Sequence, residues 1–140
     1  MKILLRSLGG FTLMEVLLVV VIIGALAVAG VANYYKSLER STLNAALGQM
    51  RLIYYAQRMF FVNFEEYYPK TGDGDVSDIM IINDELNTSL SLNGFSISCA
   101  DTDDPDTFDC EADRDSGAFF VVVTQDALSD MNPQCVGDCP

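Results

Sequence analysis

The sequence predicts an α+β protein: a long N-terminal α-helix whose first half can span a membrane, followed by a small C-terminal head built on an antiparallel β-sheet. Three observations carry that expectation. Val16 to Tyr35 holds no charged residue, apolar residues then recur at helical steps as far as Phe64, and beyond Pro69 the chain turns to loop formers, short apolar runs and four cysteines. Charge is segregated in the same way. Of the 140 residues, the first 70 carry seven Lys or Arg against four acids, whereas residues 71–140 carry one Arg against sixteen acids, within a net charge of -12. Four segments follow: a leader at 1–10, an apolar helix at 11–35, an amphipathic helix at 36–64 and an acidic head at 65–140.

The leader, MKILLRSLGG, is short, basic through Lys2 and Arg6, and placed ahead of the apolar run. A secretory signal has the reverse order, with its apolar region before the cut. The apolar segment is therefore expected to stay in the product. Twenty uncharged residues rise ~30 Å as a helix, one bilayer core. The basic residues ahead of the segment place the N-terminus in the cytoplasm. Within the run from Leu8 to Tyr35 stands a single charge, Glu15. Insertion scales put an Asp, Lys or Arg at a bilayer centre at ~2.5 to 3.5 kcal/mol, so an intramembrane acid points to a task. One reading is that it merely favours a helix N-terminus, where the dipole attracts anions.

The stretch GGFTLMEVLLVVVIIGALAVAG closely resembles the N-terminal region of the type IV pilins and of the pseudopilins of type II secretion systems. The resemblance implies a prepilin peptidase that cuts between Gly10 and Phe11 and methylates the new amine. It implies Phe11, Thr12 and Glu15 as assembly residues, Glu15 pairing with the Phe11 amine of a neighbouring subunit. It implies a homopolymeric filament raised by an inner-membrane platform and an assembly ATPase. The subunit would wait in lipid as a single-pass protein of a bacterial inner membrane. The product would then be an extracellular pilus, serving adhesion or motility, or a periplasmic pseudopilus, with this chain a major or minor subunit. Many relatives carry a proline late in the membrane segment; here no proline precedes Pro69, and any local loosening falls to Gly24 and Gly30.

Past Tyr35, Leu43, Ala46, Leu47, Met50, Ile53, Tyr54, Gln57, Phe61 and Phe64 form one helical stripe, with Arg51 and Arg58 off it. An unbroken rod of ~52 residues would be ~78 Å long; Ser41 and Thr42 offer a cap for a break near residue 40 instead. Aromatic residues are dense along this helix. Tyr54, Phe61 and Phe64 are read as core and the others as interface, with electron transport along a fibre as the sharper alternative.

In the head, Lys70 to Asp78 reads as a loop, and Ile79 to Ile82, Phe95 to Cys99 and Phe119 to Thr124 read as strands. Cys99, Cys110, Cys135 and Cys139 are even in number and confined to the polar half, which suits two disulfides. Proximity pairs Cys99 with Cys110 and Cys135 with Cys139. A four-thiolate zinc site is the alternative, although the spacings make no pair of C-x2-C knuckles. Asp101 to Asp115 holds eight acids in fifteen residues. It reads as a solvated loop that keeps fibres apart. The other reading is a calcium site at Asp101, Asp103, Asp106 and Asp109, as some pseudopilin heads hold, although the spacing is not that of an EF-hand. A membrane-anchored, calcium-dependent binding head is accordingly a further functional alternative.

The exclusions are sharper. The acidity opposes nucleic acid binding, and the chain has no histidine, which removes Ser-His and Cys-His catalysis. Glu65 and Glu66 adjoin in sequence and do not form a facing acid/base pair. No enzyme and no obligate cofactor is expected.

Overall fold

The computed structural model describes residues 10–92, 94–129 and 131–140; Lys2, Arg6 and Gly9 of the expected leader lie outside the described residues. The elements, in order, are α1 Leu13–Phe64, α2 Ile79–Glu85, β1 Phe95–Ala100, β2 Asp109–Arg114, β3 Phe119–Thr124 and β4 Gln134–Gly137. The chain divides into two compact units, residues 1–38 and 39–140.

In the first unit, each residue of Phe11–Leu38 whose burial is described is exposed. This part of α1 has a mean hydropathy of 2.7 in its most apolar window, long and apolar enough to cross a membrane. α1 continues as helix through Ser41 and Thr42, so no break occurs near residue 40. The reason is compositional: neither proline nor a run of turn formers interrupts residues 36–64.

The second unit holds a four-stranded antiparallel sheet in the order β1-β2-β3-β4. Met50 and Ile53 of α1, Ile82 of α2, Cys99, Cys110, Ala112, Val121 and Val123 are fully buried in one core. β1 and β3 alternate buried and more exposed residues, the pattern of strands with one face covered. The stripe of α1 reaches the core through Phe60, 5% exposed, while Phe64 is 51% exposed. Phe64 is thus not the core residue that its spacing suggested. Phe60 follows Gln57 by three residues, and Phe64, the last residue of α1, lies against the Phe60 ring, centroids 4.4 Å apart, with the Lys70 ammonium 4.4 Å from its own ring.

Three further expectations about the head are corrected. Ile79–Ile82 is not a strand but the start of α2, because the carboxylate of Asp78 caps the helix by accepting from the Met80 N–H at 2.8 Å. Ile79, Ile82 and Leu86 then fall at helical spacing, with Ile82 buried. The acidic run is not loop throughout, since Asp109–Arg114 forms β2; its alternation is of charged residues with Cys110 and Ala112, which alone in the strand are fully buried. β4, a fourth strand, pairs with β3 from Phe119↔Gly137 to Val122↔Gln134. At Gly137 φ is +102, and a Cβ would stand 2.8 Å from the Ala118 carbonyl oxygen. Both demands require glycine.

Both disulfides are formed: Cys99 with Cys110, directly opposite one another across β1 and β2, and Cys135 with Cys139. Four thiolates for zinc are therefore not available. Buried Gln57 joins α1 to the segment behind it. Its Nε2 donates to the Tyr68 carbonyl at 2.6 Å and its Oε1 accepts from the Tyr68 N–H at 2.9 Å. Asn132, also buried, closes the β3–β4 connection by accepting from the Thr124 N–H and donating to the Thr124 and Asp126 carbonyls.

Candidate assembly site

The start of α1 is a reciprocal cap. Thr12 stands just before the helix, and its Oγ1 accepts from the Glu15 N–H at 3.2 Å; in return Glu15 Oε2 accepts from the Thr12 N–H at 3.3 Å and from the Thr12 hydroxyl at 3.4 Å. This is a T-x-x-E capping box, which satisfies backbone donors that the first helical turn leaves free. The pattern was present in Thr12-Leu13-Met14-Glu15, yet reading Glu15 only for its charge passes over it. Helix-start stabilisation is therefore one role of this acid. Only Oε2 is used in those contacts, and Oε1 has no hydrogen bond among the described residues.

Around the cap the surface is apolar. An open groove of about 270 Å³ is lined by Phe11, Glu15, Val16, Val19 and Val20, Glu15 through the apolar part of its side chain. Phe11 is 85% exposed. At Gly10 a Cβ would meet nothing within 4 Å among the described residues, so their packing does not demand glycine there. Gly24 is equally open.

The acidic segment is built differently. Asp101 Oδ2 accepts from the N–H groups of Gly72 and Gly74 at 2.8 and 3.0 Å, and its Oδ1 from that of Asp103 at 3.1 Å. Asp75 in turn accepts from the Asp101 N–H, beside a bridge that joins Val76 to Cys99. These contacts clip the 70–78 loop to the end of β1. The Asp103, Gly74 and Gly72 donors hold the Asp101 carboxyl below the ordinary carboxylate range. Asp104 accepts from the Asp106 N–H, and Asp109 opens β2. Asp101, Asp103, Asp106 and Asp109 are not brought together: among the described residues no three His, Cys, Asp or Glu side chains gather into a group able to hold a metal ion.

Burial pushes the Asp109 carboxyl up, and pushes up that of Glu111 with help from Asp113 and Asp109. A carboxyl raised in the folded state takes up its proton before the unfolded chain does. Its contribution to stability is present at low pH and is lost as pH rises through the folded value. Glu111→Gln is accordingly expected to raise the melting temperature at neutral pH. It should also shrink the gain in stability seen as pH falls toward the carboxylate range. Thermal melts of both chains across that interval check it, and an equal or lower melting temperature at pH 7 counts against the assignment.

The aromatic residues of the second unit pack among themselves. Tyr67 lies against Phe61 and Phe108, with centroids 4.6 and 4.9 Å apart, and Phe108 against Tyr54 at 6.2 Å. Tyr54, Tyr67 and Phe108 are buried, which gives these rings a packing role.

No family model matches the chain. A comparison with curated proteins finds similarity to the type IV major pilin protein PilA of Myxococcus xanthus (strain DK1622), 40% identical over 58 residues. The matched stretch is 41% of this chain, and spans about a quarter, 26%, of the relative. Over that stretch the chain is thus similar to a type IV pilin, the family that Gly10 to Glu15 and the apolar run behind them resemble, and its long apolar helix with an antiparallel sheet is consistent with a pilin fold.

Proposed function

We propose that this chain is a structural subunit of a type IV pilus. It polymerises through α1 after a prepilin peptidase cuts between Gly10 and Phe11 and the new Phe11 amine is methylated. Before assembly it is held in the inner membrane by the apolar half of α1, with its N-terminus in the cytoplasm, and an assembly platform and ATPase then raise it into the fibre. The reading is structural, with no catalytic step assigned to the chain itself.

The observation that carries it is Glu15, an acid on an exposed apolar helix with one carboxylate oxygen committed to its own cap and the other without a hydrogen bond among the described residues. A cut after Gly10 would place an ammonium on Phe11 of each copy. An amine brought to Oε1 gives a charge-assisted hydrogen bond where unpaired charges are costly, so pairing fixes the axial step between neighbours. The apolar surface of Phe11–Leu38, solvated by lipid before assembly, is covered by other copies afterwards. The relative's name supports the pilus over the pseudopilus.

Intact and N-terminal mass spectrometry of fibres sheared from the cell surface tests the reading. A mature chain beginning at methylated Phe11 is expected; an uncut chain, or a cut elsewhere, overturns it, and cut material found only in the periplasm indicates a pseudopilus. The two roles of Glu15 are separable, because glutamine also serves in a capping box. Glu15→Gln should be processed normally yet give about tenfold fewer fibres or worse, the loss of a charge-assisted hydrogen bond of ~1.5 to 3 kcal/mol. Wild-type fibre yield from Glu15→Gln would leave the cap as the whole role of Glu15.

A further inference from the structure

The sequence carries seven asparagines, and Asn87 alone has serine or threonine two residues on, with no proline between, in Asn87-Thr88-Ser89. That triplet is the acceptor for an N-linked saccharide, and it counts where the chain presents it on a surface loop. Glu85, two residues ahead, gives it the acidic lead that the bacterial form of this acceptor has.

The structure presents the triplet on the turn that ends α2. The Asn87 N–H donates to the Asp84 carbonyl at 3.3 Å and the Thr88 N–H to the Asn83 carbonyl at 2.8 Å, with Asn87 at φ +50, which is a Schellman cap. A left-handed residue there is glycine or asparagine by backbone preference alone. That preference makes no use of the amide. The loop behind is held by Asn83, whose Oδ1 accepts from the Thr88 hydroxyl at 2.9 Å and the Leu90 N–H at 2.7 Å, while its Nδ2 donates to the Leu90 carbonyl at 3.1 Å. Asn87 and Ser89 are exposed, and neither side chain makes a hydrogen bond among the described residues. The turn is thus complete without the Asn87 amide and the Ser89 hydroxyl, the two groups that the acceptor needs.

Asn87 also helps to line an open groove of about 340 Å³, together with Tyr55, Met59, Phe64 and Glu85. Tyr55, Met59 and Phe64 are 58%, 65% and 51% exposed, an apolar patch with polar groups at its edge. A sugar ring suits such a surface, with a C–H face for the aromatic rings and hydroxyls for the Glu85 carboxylate.

We propose that Asn87 is an N-glycosylation site and that the saccharide attached there lies over this groove. The amide nitrogen of Asn87 attacks the anomeric carbon of a saccharide carried on a lipid diphosphate. The nitrogen–carbon bond forms as the bond from that carbon to the diphosphate oxygen breaks; the nitrogen gives up one proton and the lipid diphosphate leaves. The site rests on the function proposed above in one respect, that residues beyond the apolar half of α1 lie outside the cytoplasm. A saccharide there would shield apolar surface that the chain leaves in water.

Mass spectrometry of the chain purified from its own organism tests the site. The peptide bearing Asn87 is expected to be heavier by whole sugar residues, with fragmentation placing them on the Asn87 amide. Asn87→Gly keeps the left-handed turn and Ser89→Ala keeps Asn87 itself, and each should remove the whole increment while leaving the melting temperature near that of the unmodified chain. Peroxide should oxidise Met59 several-fold more slowly in the wild-type chain than in Asn87→Gly, with the equally accessible Met131 as reference. An unmodified Asn87 peptide in the wild-type chain overturns the site, as does an increment that survives Asn87→Gly and so sits on a hydroxyl. Equal oxidation of Met59 in the two chains overturns the placement over the groove. A chain glycosylated at Asn87 that builds no fibres sinks the fibre reading alone, and fibres of an unmodified chain sink the site alone.

Discussion

Gln57→Leu is expected to lower the stability of the second unit by ~2 to 5 kcal/mol. Leucine fills nearly the same space but leaves both the N–H and the carbonyl of Tyr68 without the partners that Gln57 gives them at 2.9 and 2.6 Å. A buried donor or acceptor stripped of its partner costs ~1 to 3 kcal/mol, and Gln57 and Tyr68 are both buried, at 0% and 5% exposure. For a unit of this size that amounts to a fall in melting temperature of roughly 10 °C or more. Gln57→Glu should be no milder, since it keeps the acceptor for Tyr68 N–H, loses the donor to Tyr68 O and sets a charge in the core. Melting of the detergent-solubilised chain, followed by circular dichroism, checks both, and a shift below about 2 °C for Gln57→Leu would show that Tyr68 finds other partners.

The second large effect is at the cross-strand disulfide. Cys99 and Cys110 are eleven residues apart, and closing a loop of that length restricts the unfolded chain by ~3 kcal/mol, against ~2 for the four-residue separation of Cys135 and Cys139. The Cys99–Cys110 pair is also fully buried, so replacing both residues by alanine removes packed volume as well. Cys99→Ala with Cys110→Ala is expected to melt well below Cys135→Ala with Cys139→Ala under oxidising conditions. Equal melting of the two double variants would refute the ranking.

How much of this was legible in the sequence depends on the kind of signal. The long helix was readable because twenty uncharged residues and a regular stripe are redundant: no single residue decides them. β1 was readable from its alternation and β3 from a continuous apolar run of strand length. β2 was not, because four of its six residues are charged and the core needs only Cys110 and Ala112 from it. α2 was mistaken for a strand because four apolar residues outweighed one cap, Asp78, whose carboxylate fixes the helix start. Gln57 sat correctly on the stripe, but its partner is a backbone eleven residues on, which no local pattern displays. The capping box at Thr12 and Glu15 was legible and passed over, since a charge in an apolar run invites a long-range explanation before a local one.

That capping box fixes what processing can change. The helix begins at Leu13, and its cap is completed by Thr12 and Glu15, both beyond the proposed cut after Gly10. A cut there would leave the contacts between Thr12 and Glu15 in place and turn the neutral amide before Phe11 into a cation, changing the electrostatics of the helix start and not its cap. On the proposed function, what the cut supplies to polymerisation is a single proton-bearing nitrogen beside a helix start whose cap is already complete.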